Sequence, residues 1–412
     1  MKEIILNNGI KTIIKENKNT PRTAIVMYSS LNEQEKKPGL YLLLTQLLLQ
    51  GTKKRNCEEL ALELDENAID ISFEKKADYI RIKILCLNED VEHALEIFED
   101  IMKNSTFDNL NKEIVKIKGE LTADLDSAKI QAQDEYYRTI FKNHPYGIGR
   151  EEIIKEIESV TKEDIKKAYD NIKNSSKKII SIAGDVDSEI IIQLLNKYLS
   201  DFRIQDINYK REEITRVVKN TVSIIKKEDV NQAQIFQGWI FPNIFSEDYP
   251  KIILLNTILG ASGLSSRLFL ELREKQGLAY NVRSVYESFA LCGNFFVYIA
   301  TEPKNIKVSI DGFAKEIKKI MTEKITEEEL NNAKNNAIGK RQFYQETNIL
   351  EASLKGYYEY SSLGYDWEKK LIESIKSITA EELLETAVKC FSNPDVLCVL
   401  APEKFLQDAG LL

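Results

Sequence analysis

Histidine, glycine and proline are scarce in this chain of 412 residues, and basic residues are not in excess. Glycine (17) and proline (8) are too few for a collagen-like or disordered chain. The 57 Lys and Arg residues are outnumbered by 65 Asp and Glu residues, and this net charge of −8 argues against a partner that is duplex nucleic acid. No apolar run is long enough to span a membrane, and the N-terminus does not resemble a signal peptide, so we expect a cytoplasmic protein.

The two histidines, His93 and His144, are too few for a histidine-rich metal site. His93 falls in an amphipathic helical pattern, which is typical of a solvated residue, and His144 opens a His-Pro-Tyr-Gly turn. No serine or cysteine has the surroundings of a catalytic nucleophile. The five cysteines are scattered and never spaced C-x-x-C, which indicates a reducing compartment rather than a disulfide framework or a zinc ribbon.

The order of predicted strands and helices repeats along the chain. Residues 157–165 resemble residues 375–383, and each segment contains a Thr-x-x-acid pattern that predicts the start of a helix. Strands and helices do not alternate strictly within a half, which favours an α+β fold. The sequence therefore predicts an N-terminal domain at 1–204, a polar linker at 205–216 and a homologous C-terminal domain at 217–412.

A strongly apolar helix is predicted at 40–49, between Gly39 and Gly51-Thr52. On its residues alone this pattern is typical of a buried core helix. It also resembles the zinc-site helix of the pitrilysin/insulinase-type metallopeptidases, which include the mitochondrial processing peptidases. Their pattern is Gly-Leu-x-His-x-x-Glu-His, followed by apolar residues and Gly-Thr, and it contains the inverted H-x-x-E-H motif.

The resemblance implies a zinc site that has lost its ligands. Leu42 and Gln46 occupy the positions of the two histidines, and Thr45 occupies the position of the general-base glutamate. Glu120 corresponds to the distant glutamate ligand and is the single member of the set that is retained. One carboxylate cannot hold tetrahedral zinc, so we expect this chain to contain no metal and no other cofactor.

A second match lies in the other half, where the stretch from Ser265 to Tyr280 resembles the family segment S-R-L-F-x-x-(I/L)-R-E-x-x-G-L-x-Y. From spacing alone, Arg273 and Tyr280 are a surface helix arginine followed by a strand tyrosine. The resemblance implies that both reach a zinc site in the opposing half, where they hold the substrate backbone and stabilise the oxyanion. A guanidinium and a phenol are suitable donors to developing negative charge.

The resemblance covers essentially the whole chain and implies two homologous domains of clamshell type, each a mostly antiparallel sheet with helices packed on it. The main hypothesis is a subunit that is inactive alone and belongs to a heterodimeric zinc endopeptidase. A homologous partner would carry H-x-x-E-H and zinc, Arg273 and Tyr280 would act in trans, and an extended peptide substrate would add to a sheet edge. The alternatives are a homodimeric peptide-binding or chaperone-like protein and a purely structural subunit.

Overall fold

The computed structural model describes residues 1–207 and 209–412; Asn208, which falls in the predicted linker at 205–216, lies outside the described residues. The α-helices in chain order are α1 (Leu40–Leu47), α2 (Cys57–Glu66), α3 (Val91–Asn104), α4 (Leu110–Asp124), α5 (Ala128–Ile140), α6 (Arg150–Glu156), α7 (Lys162–Lys173), α8 (Ser188–Tyr198), α9 (Tyr249–Asn256), α10 (Ile306–Thr322), α11 (Glu327–Gln342), α12 (Asn348–Tyr360), α13 (Trp367–Ser377), α14 (Ala380–Phe391) and α15 (Glu403–Asp408). Two segments, Thr257–Ala261 and Phe269–Lys275, are π-helical. None of the helices in these described ranges is both long enough and apolar enough to cross a membrane.

The strands form two mixed, mostly antiparallel sheets. They are β1 (Lys2–Ile5), β2 (Lys11–Glu16), β3 (Arg22–Ser30), β4 (Asp70–Lys75), β5 (Tyr79–Leu87) and β6 (Lys178–Gly184) in the first sheet, and β7 (Thr221–Lys226), β8 (Ala233–Phe241), β9 (Asn281–Ser288), β10 (Gly293–Thr301) and β11 (Asp395–Ala401) in the second. The strand orders are β1-β2-β6-β3-β5-β4 and β7-β11-β8-β10-β9. Without β1 the two orders are equivalent, and β2–β6 and β7–β11 are the matching parallel pairs. The repeat confirms the predicted α+β class and the duplication.

The chain divides into two compact units that are not continuous in sequence. Unit one comprises Met1–Leu121, Glu151–Arg211 and Gln342–Glu368, and unit two comprises Thr122–Arg150, Glu212–Arg341 and Lys369–Leu412. Helix α5 therefore belongs to unit two, and α12 belongs to unit one. The boundaries 1–204, 205–216 and 217–412 stay a prediction about the duplicated halves, because compactness and sequence homology divide a chain by different criteria.

In unit one, apolar side chains cover both faces of the first sheet. Isoleucines on one face, such as Ile25 and Ile182, join a large core with α1, α3, α7 and α8. The opposite face carries Val26 and Tyr28 and is covered by α12. The hydroxyl of Tyr28 donates to the Ser353 carbonyl oxygen of α12 at 2.7 Å. Because the sheet is buried on both sides, its central strands are apolar at successive positions rather than alternating.

Unit two repeats this arrangement with α5. Tyr136 of α5 is fully buried against the second sheet, its ring is stacked with Phe236, and its hydroxyl donates to Asn294 Oδ1 at 2.7 Å. On the other face, the Phe391 ring of α14 lies 5.0 Å from the Trp239 ring. One helix thus covers the same face of the sheet in each unit.

Local sequence signals predict some helix boundaries correctly and others incorrectly. The capping boxes that begin α7 and α14 form at Thr161 and Thr379 as predicted. The charged stretch 109–139 has a helical pattern throughout, but the structure divides it, since α4 ends at Asp124 and α5 begins at Ala128. The break lets the two helices join different units. The apolar helix α1 ends at Leu47, two residues earlier than predicted, because a turn precedes Gly51.

The packing of α5 can be tested at Gly238 of β8. A Cβ at this position would clash with the Tyr136 hydroxyl and lie 2.7 Å from the Phe295 carbonyl oxygen. We expect Gly238→Ala to lower the free energy of unfolding by about 2 kcal/mol or more, because backbone and ring must both shift. The control is Gly339→Ala in α11, where a Cβ meets nothing within 4 Å, and it should stabilise the protein by about 1 kcal/mol. Chemical denaturation measures both; equal effects would contradict the packing.

Buried Lys178 should make the stability of unit one pH-dependent. Its ammonium donates to Ser175 Oγ at 2.8 Å and to the Arg203 carbonyl oxygen at 2.9 Å, and burial lowers its pKa from 10.5 to about 7. The folded state then binds fewer protons than the unfolded state between these values, so the free energy of unfolding rises with pH in that window. We expect the wild type to gain about 2 kcal/mol relative to Lys178→Met between pH 7 and pH 9.5 in chemical denaturation. A constant difference would show that the amine is not desolvated.

Candidate functional site

Helix α1 forms because its start is capped and its apolar side chains are buried. Gly39 precedes the helix with a φ of +91°, a value that favours glycine. The Glu35 carboxylate accepts a hydrogen bond from the backbone N–H of Tyr41 at 2.9 Å and so satisfies one of the unpaired donors of the first turn. Leu43 and Leu47 are fully buried in the core of unit one. The predicted buried helix is confirmed.

Of the degenerate zinc-site positions on α1, Leu42 and Thr45 make structural contacts and Gln46 is exposed. Leu42 is half-buried and packs against the core. Thr45 is buried, and its hydroxyl donates to the Leu42 carbonyl oxygen at 2.7 Å, which is a bond within the helix. Gln46 is exposed, as is Glu120 on α4. No hydrogen bond or ion pair joins Glu120 to α1 in the described part of the chain, and the grouping of these four positions into one site stays a prediction.

These residues do not fit a zinc ion. Leucine, threonine and glutamine offer neither the imidazole nor the carboxylate that zinc requires. Across residues 1–207 and 209–412, no three histidine, cysteine, aspartate or glutamate side chains are grouped so that they hold a metal ion.

The residues that follow α1 build an ion-pair network. The Arg55 guanidinium donates to Asp100 at 2.8 Å and to Glu63 at 2.5 Å, and the Thr52 hydroxyl donates to Asp100 at 2.7 Å. Burial opposes the charge of Asp100, but its hydrogen bonds outweigh that cost and lower its pKa. His93, predicted as a solvated residue, lies with Nε2 at 3.3 Å from Glu63 and so borders this network. The Gly-Thr motif after α1 therefore has a structural role in this chain.

The segment that carries Arg273 and Tyr280 is a π-helical turn followed by a short extended stretch. The π-helix ends at Lys275, and Gly277 follows it with a φ of +64°. The Leu278 N–H donates to the Leu272 carbonyl oxygen at 2.9 Å. The Thr301 hydroxyl of β10 donates to the Leu278 carbonyl oxygen at 2.6 Å. The helix that carries Arg273 is of the π type, since the backbone widens into π-helix from Phe269. Such turns are often found at functional sites.

Two ion-pair clusters fix this segment within unit two. Arg267 makes a bidentate contact with Glu329 of α11, with both N–O distances at 2.7 Å. Burial opposes its charge, but the Glu329 contact outweighs burial and raises the pKa of Arg267. Glu271 accepts from Lys315 of α10 at 2.8 Å and from Lys275 at 3.0 Å, and these two lysines lower its pKa to about 2. The backbone that presents Arg273 is thus held from both sides.

Arg273 and Tyr280 lie against each other. The Arg273 Nη1 donates to the Tyr280 carbonyl oxygen at 2.7 Å, and the guanidinium carbon lies 4.7 Å from the ring centroids of both Phe269 and Tyr280. This placement between two rings orients the guanidinium without neutralising it. Its other N–H groups have no acceptor in the ranges that the structure describes. Tyr280 is 82% exposed, so its hydroxyl is open to a ligand.

The structure thus brings together the two donors that the sequence singled out, whereas the role of either in catalysis stays a prediction. Sequence reasoning missed Phe269, although its i, i+4 spacing from Arg273 is a signal for a side-chain contact. It also missed the Glu329 and Lys315 contacts, for which no local pattern exists because they come from distant helices.

Two family models match the chain. Residues 12–153 match the model described as "Insulinase (Peptidase family M16)", and residues 159–337 match the model described as "Peptidase M16 inactive domain". Together these ranges include more than half of the chain. Both models describe the same family, in agreement with the resemblance of the α1 and Arg273 segments.

Whole-chain comparisons agree with these matches. An "Uncharacterized zinc protease" of Rickettsia felis is 28% identical over 394 residues, which are 92% of this chain and 91% of the relative. A "Non-peptidase homolog YmxG" of Helicobacter pylori is 23% identical over 355 residues, 84% of this chain and 80% of the relative. A solved structure of a peptidase M16 inactive domain from Pseudomonas fluorescens has a TM-score of 0.88 at 19% identity and covers 97% of both chains. That likeness shows the fold.

The lack of zinc ligands on α1 predicts how the purified chain responds to metal. We expect wild-type protein to retain no stoichiometric zinc after exposure to the metal and gel filtration. The triple variant Leu42→His, Thr45→Glu, Gln46→His places two imidazoles at i and i+4 on one helix face and should gain about one equivalent. Elemental analysis by mass spectrometry measures both.

The control for the zinc measurement is the triple variant with Glu120→Gln added. It should hold zinc more weakly if Glu120 is the third ligand. One tightly bound zinc in the wild type that survives Glu120→Gln would contradict the assignment of α1 as a helix without metal.

Proposed function

Because this chain belongs to peptidase family M16, the insulinase family, we propose that it is the non-zinc subunit of a heterodimeric zinc endopeptidase. A catalytically inactive member fits the description of the matched inactive domain and the name of the Helicobacter relative. The proposal adds a partner subunit that carries the H-x-x-E-H helix, a peptide substrate and a cytoplasmic location.

One contrast carries the proposal: Leu42 and Thr45 make structural contacts at two of the degenerate zinc-site positions, whereas half-buried Arg273 and exposed Tyr280 keep hydrogen-bond donors for a ligand. Leu42 and Thr45 make core and intrahelical contacts that no hydrolytic role requires. Arg273, by comparison, is oriented by Phe269 and Tyr280 but neutralised by no carboxylate among the described residues. Unpaired cations are expected where a ligand supplies the negative charge.

The proposed division of labour follows from this contrast. In the partner subunit, zinc would lower the pKa of a bound water and supply the nucleophile. The guanidinium of Arg273 donates to the substrate backbone, and the phenol of Tyr280 donates to the oxygen on which negative charge develops. Both donors are most effective when they are held in place before the reaction, and the ion pairs of Arg267 and Glu271 restrict the segment in this way.

A peptide substrate suits the sheets of this chain. The strands β4 and β9 each lie at the end of a sheet order, so each has an outer row of backbone groups. An extended peptide can pair with such a row through main-chain hydrogen bonds. Binding of this kind depends little on the sequence of the peptide. Pairing with an edge strand is therefore consistent with the loose peptide specificity that we propose for the enzyme.

The second candidate is a homodimer that encloses peptides without cleaving them. The name "Non-peptidase homolog" of the Helicobacter pylori relative favours it, together with the lack of zinc ligands on α1. The two candidates differ in one measurable respect. The purified chain alone should be a stable homodimer that binds peptide in the second case, whereas in the first it gains peptidase activity when the H-x-x-E-H subunit is added.

We expect Arg273→Ala and Tyr280→Phe each to lower kcat/KM of the reconstituted heterodimer by about 10²-fold to 10³-fold, because each removes a donor to the transition state. Tyr280→Phe should act mainly on kcat, since it leaves the ring and its contact with Arg273 intact. The measurement is cleavage of a quenched fluorescent peptide by the chain plus its H-x-x-E-H partner, with and without a zinc chelator.

Matched controls separate the donors from general surface changes. Arg216→Ala and Tyr344→Phe alter an exposed arginine and an exposed tyrosine outside the donor segment and should leave kcat/KM unchanged. If Arg273→Ala and Tyr280→Phe also leave kcat/KM unchanged while the heterodimer is active, the in-trans role is wrong. If the chain alone cleaves peptides in a chelator-sensitive reaction, the split-enzyme proposal is wrong.

A further inference from the structure

Two cations converge on one tyrosine ring in unit two. Arg283 of β9 lies directly opposite Tyr298 of β10 in the antiparallel register, with its guanidinium carbon 5.8 Å from the ring centroid. The Nζ of Lys129, in the first turn of α5, lies 5.3 Å from the same centroid. Tyr298 is 2% exposed, and its hydroxyl donates to Gln234 Oε1 at 2.8 Å, so the ring is a fixed platform.

Neither cation has a carboxylate partner in the described part of the chain. Glu287, which is on the same strand as Arg283, is bonded instead by the Tyr137 hydroxyl and by the Asn294 amide. Glu135, which is on the same helix as Lys129, pairs instead with Arg138. Two like charges that share one ring therefore lack a counter-charge from the protein.

The titration of Lys129 agrees with this account. Burial is the larger cause that lowers the pKa of Lys129, and the positive charge of Arg283 lowers it further. No carboxylate of the described residues raises it. A bound anion would reverse the second effect and so stabilise the ammonium form. The cation pair is thus electrostatically unfavourable as it stands, which is a common property of ligand sites.

The start of α5 adds further positive character beside Lys129. Its N-cap residue, Ser127, makes no side-chain capping bond, and no acidic residue lies in the first turn. By contrast, α7 begins with a capping box and two acidic residues. The backbone N–H groups of an uncapped first turn attract anions, and here they accompany the ammonium group rather than stand alone.

We propose that Arg283 and Lys129, on the Tyr298 platform, form a subsite for a carboxylate of the bound peptide. The inference rests on the proposed peptide-binding function and adds a preference for acidic ligands to it. Arg283 is on the same edge strand that follows Tyr280, three residues further along the chain. A guanidinium and an ammonium that flank one aromatic ring suit a planar anion, and both acidic side chains and a C-terminus present one.

The experiment uses the purified full chain and three synthetic nonapeptides of alternating valine and threonine. Two are blocked at both ends and differ only in a central glutamate or glutamine, and the third is the glutamine peptide with a free C-terminal carboxylate. Isothermal titration calorimetry at low salt measures each dissociation constant. A preference for the glutamate peptide identifies a side-chain subsite, whereas a preference for the third peptide identifies a C-terminal one.

We expect one of the carboxylate peptides to bind about fivefold more tightly than the blocked glutamine peptide, a difference that added salt should reduce. Arg283→Gln and Lys129→Gln should each reduce the preference, the double variant should abolish it, and Arg283→Lys should retain part of it. Lys307→Gln removes an exposed charge on α10 that already pairs with Asp311, and it should leave the preference unchanged.

The outcomes separate this subsite from the proposed function. Equal binding of all three peptides overturns the subsite and leaves peptide binding intact. A preference that survives the double variant overturns the assignment to Arg283 and Lys129. Weaker binding of all three peptides to Arg273→Ala, with the preference for the carboxylate peptide unchanged, supports the proposed function independently. Failure of every peptide to bind the wild type overturns the subsite, whereas the proposed function is decided by the peptidase assay of the reconstituted heterodimer.

Discussion

The apolar character of both faces of each sheet is the constraint on which the rest of the structure depends. Strands β6 and β11 are buried at every position, so each sheet requires helices on both sides. The first cover comes from helices that are close in sequence to the strands. The second comes from α12 in unit one and from α5 in unit two, and each helix continues a chain segment that belongs to the other unit. Neither half of the sequence can therefore bury its sheet by itself.

Duplication gave both units the same strand order, but the helical segments that connect β3 to β4 and β8 to β9 differ in chemistry. In unit one, α1 packs Leu42 and its buried leucines against the core, and its stability derives from burial. In unit two, Arg273 of the π-helical segment lies at the surface, and the ion pairs of Arg267 and Glu271 hold the backbone of the segment.

The distribution of paired and unpaired charges marks where ligand chemistry is expected. Arg55 and Arg267 are both bonded to carboxylates and serve the fold. Arg273, Arg283 and Lys129 instead lie on aromatic rings, which orient a cation without neutralising it. A cation held in this way keeps hydrogen-bond donors for a ligand and loses little conformational entropy on binding. Aromatic support rather than ion pairing is the feature common to the two candidate sites of unit two.

The resemblance to the family singled out Arg273 and Tyr280. Local sequence patterns determined the duplicated α+β fold, the buried α1 and the capped helices at Thr161 and Thr379. Each of these depends on residues within a few turns of one another, where propensity, capping and periodicity act. Tertiary structure alone decided the break between α4 and α5, the exchange of α5 and α12, and the platform for Arg283. Those features depend on contacts between distant residues, such as Tyr136 and Asn294, which are 158 positions apart. No local pattern encodes such a pairing, because its energy is gained only once the second sheet is formed and α5 packs on it.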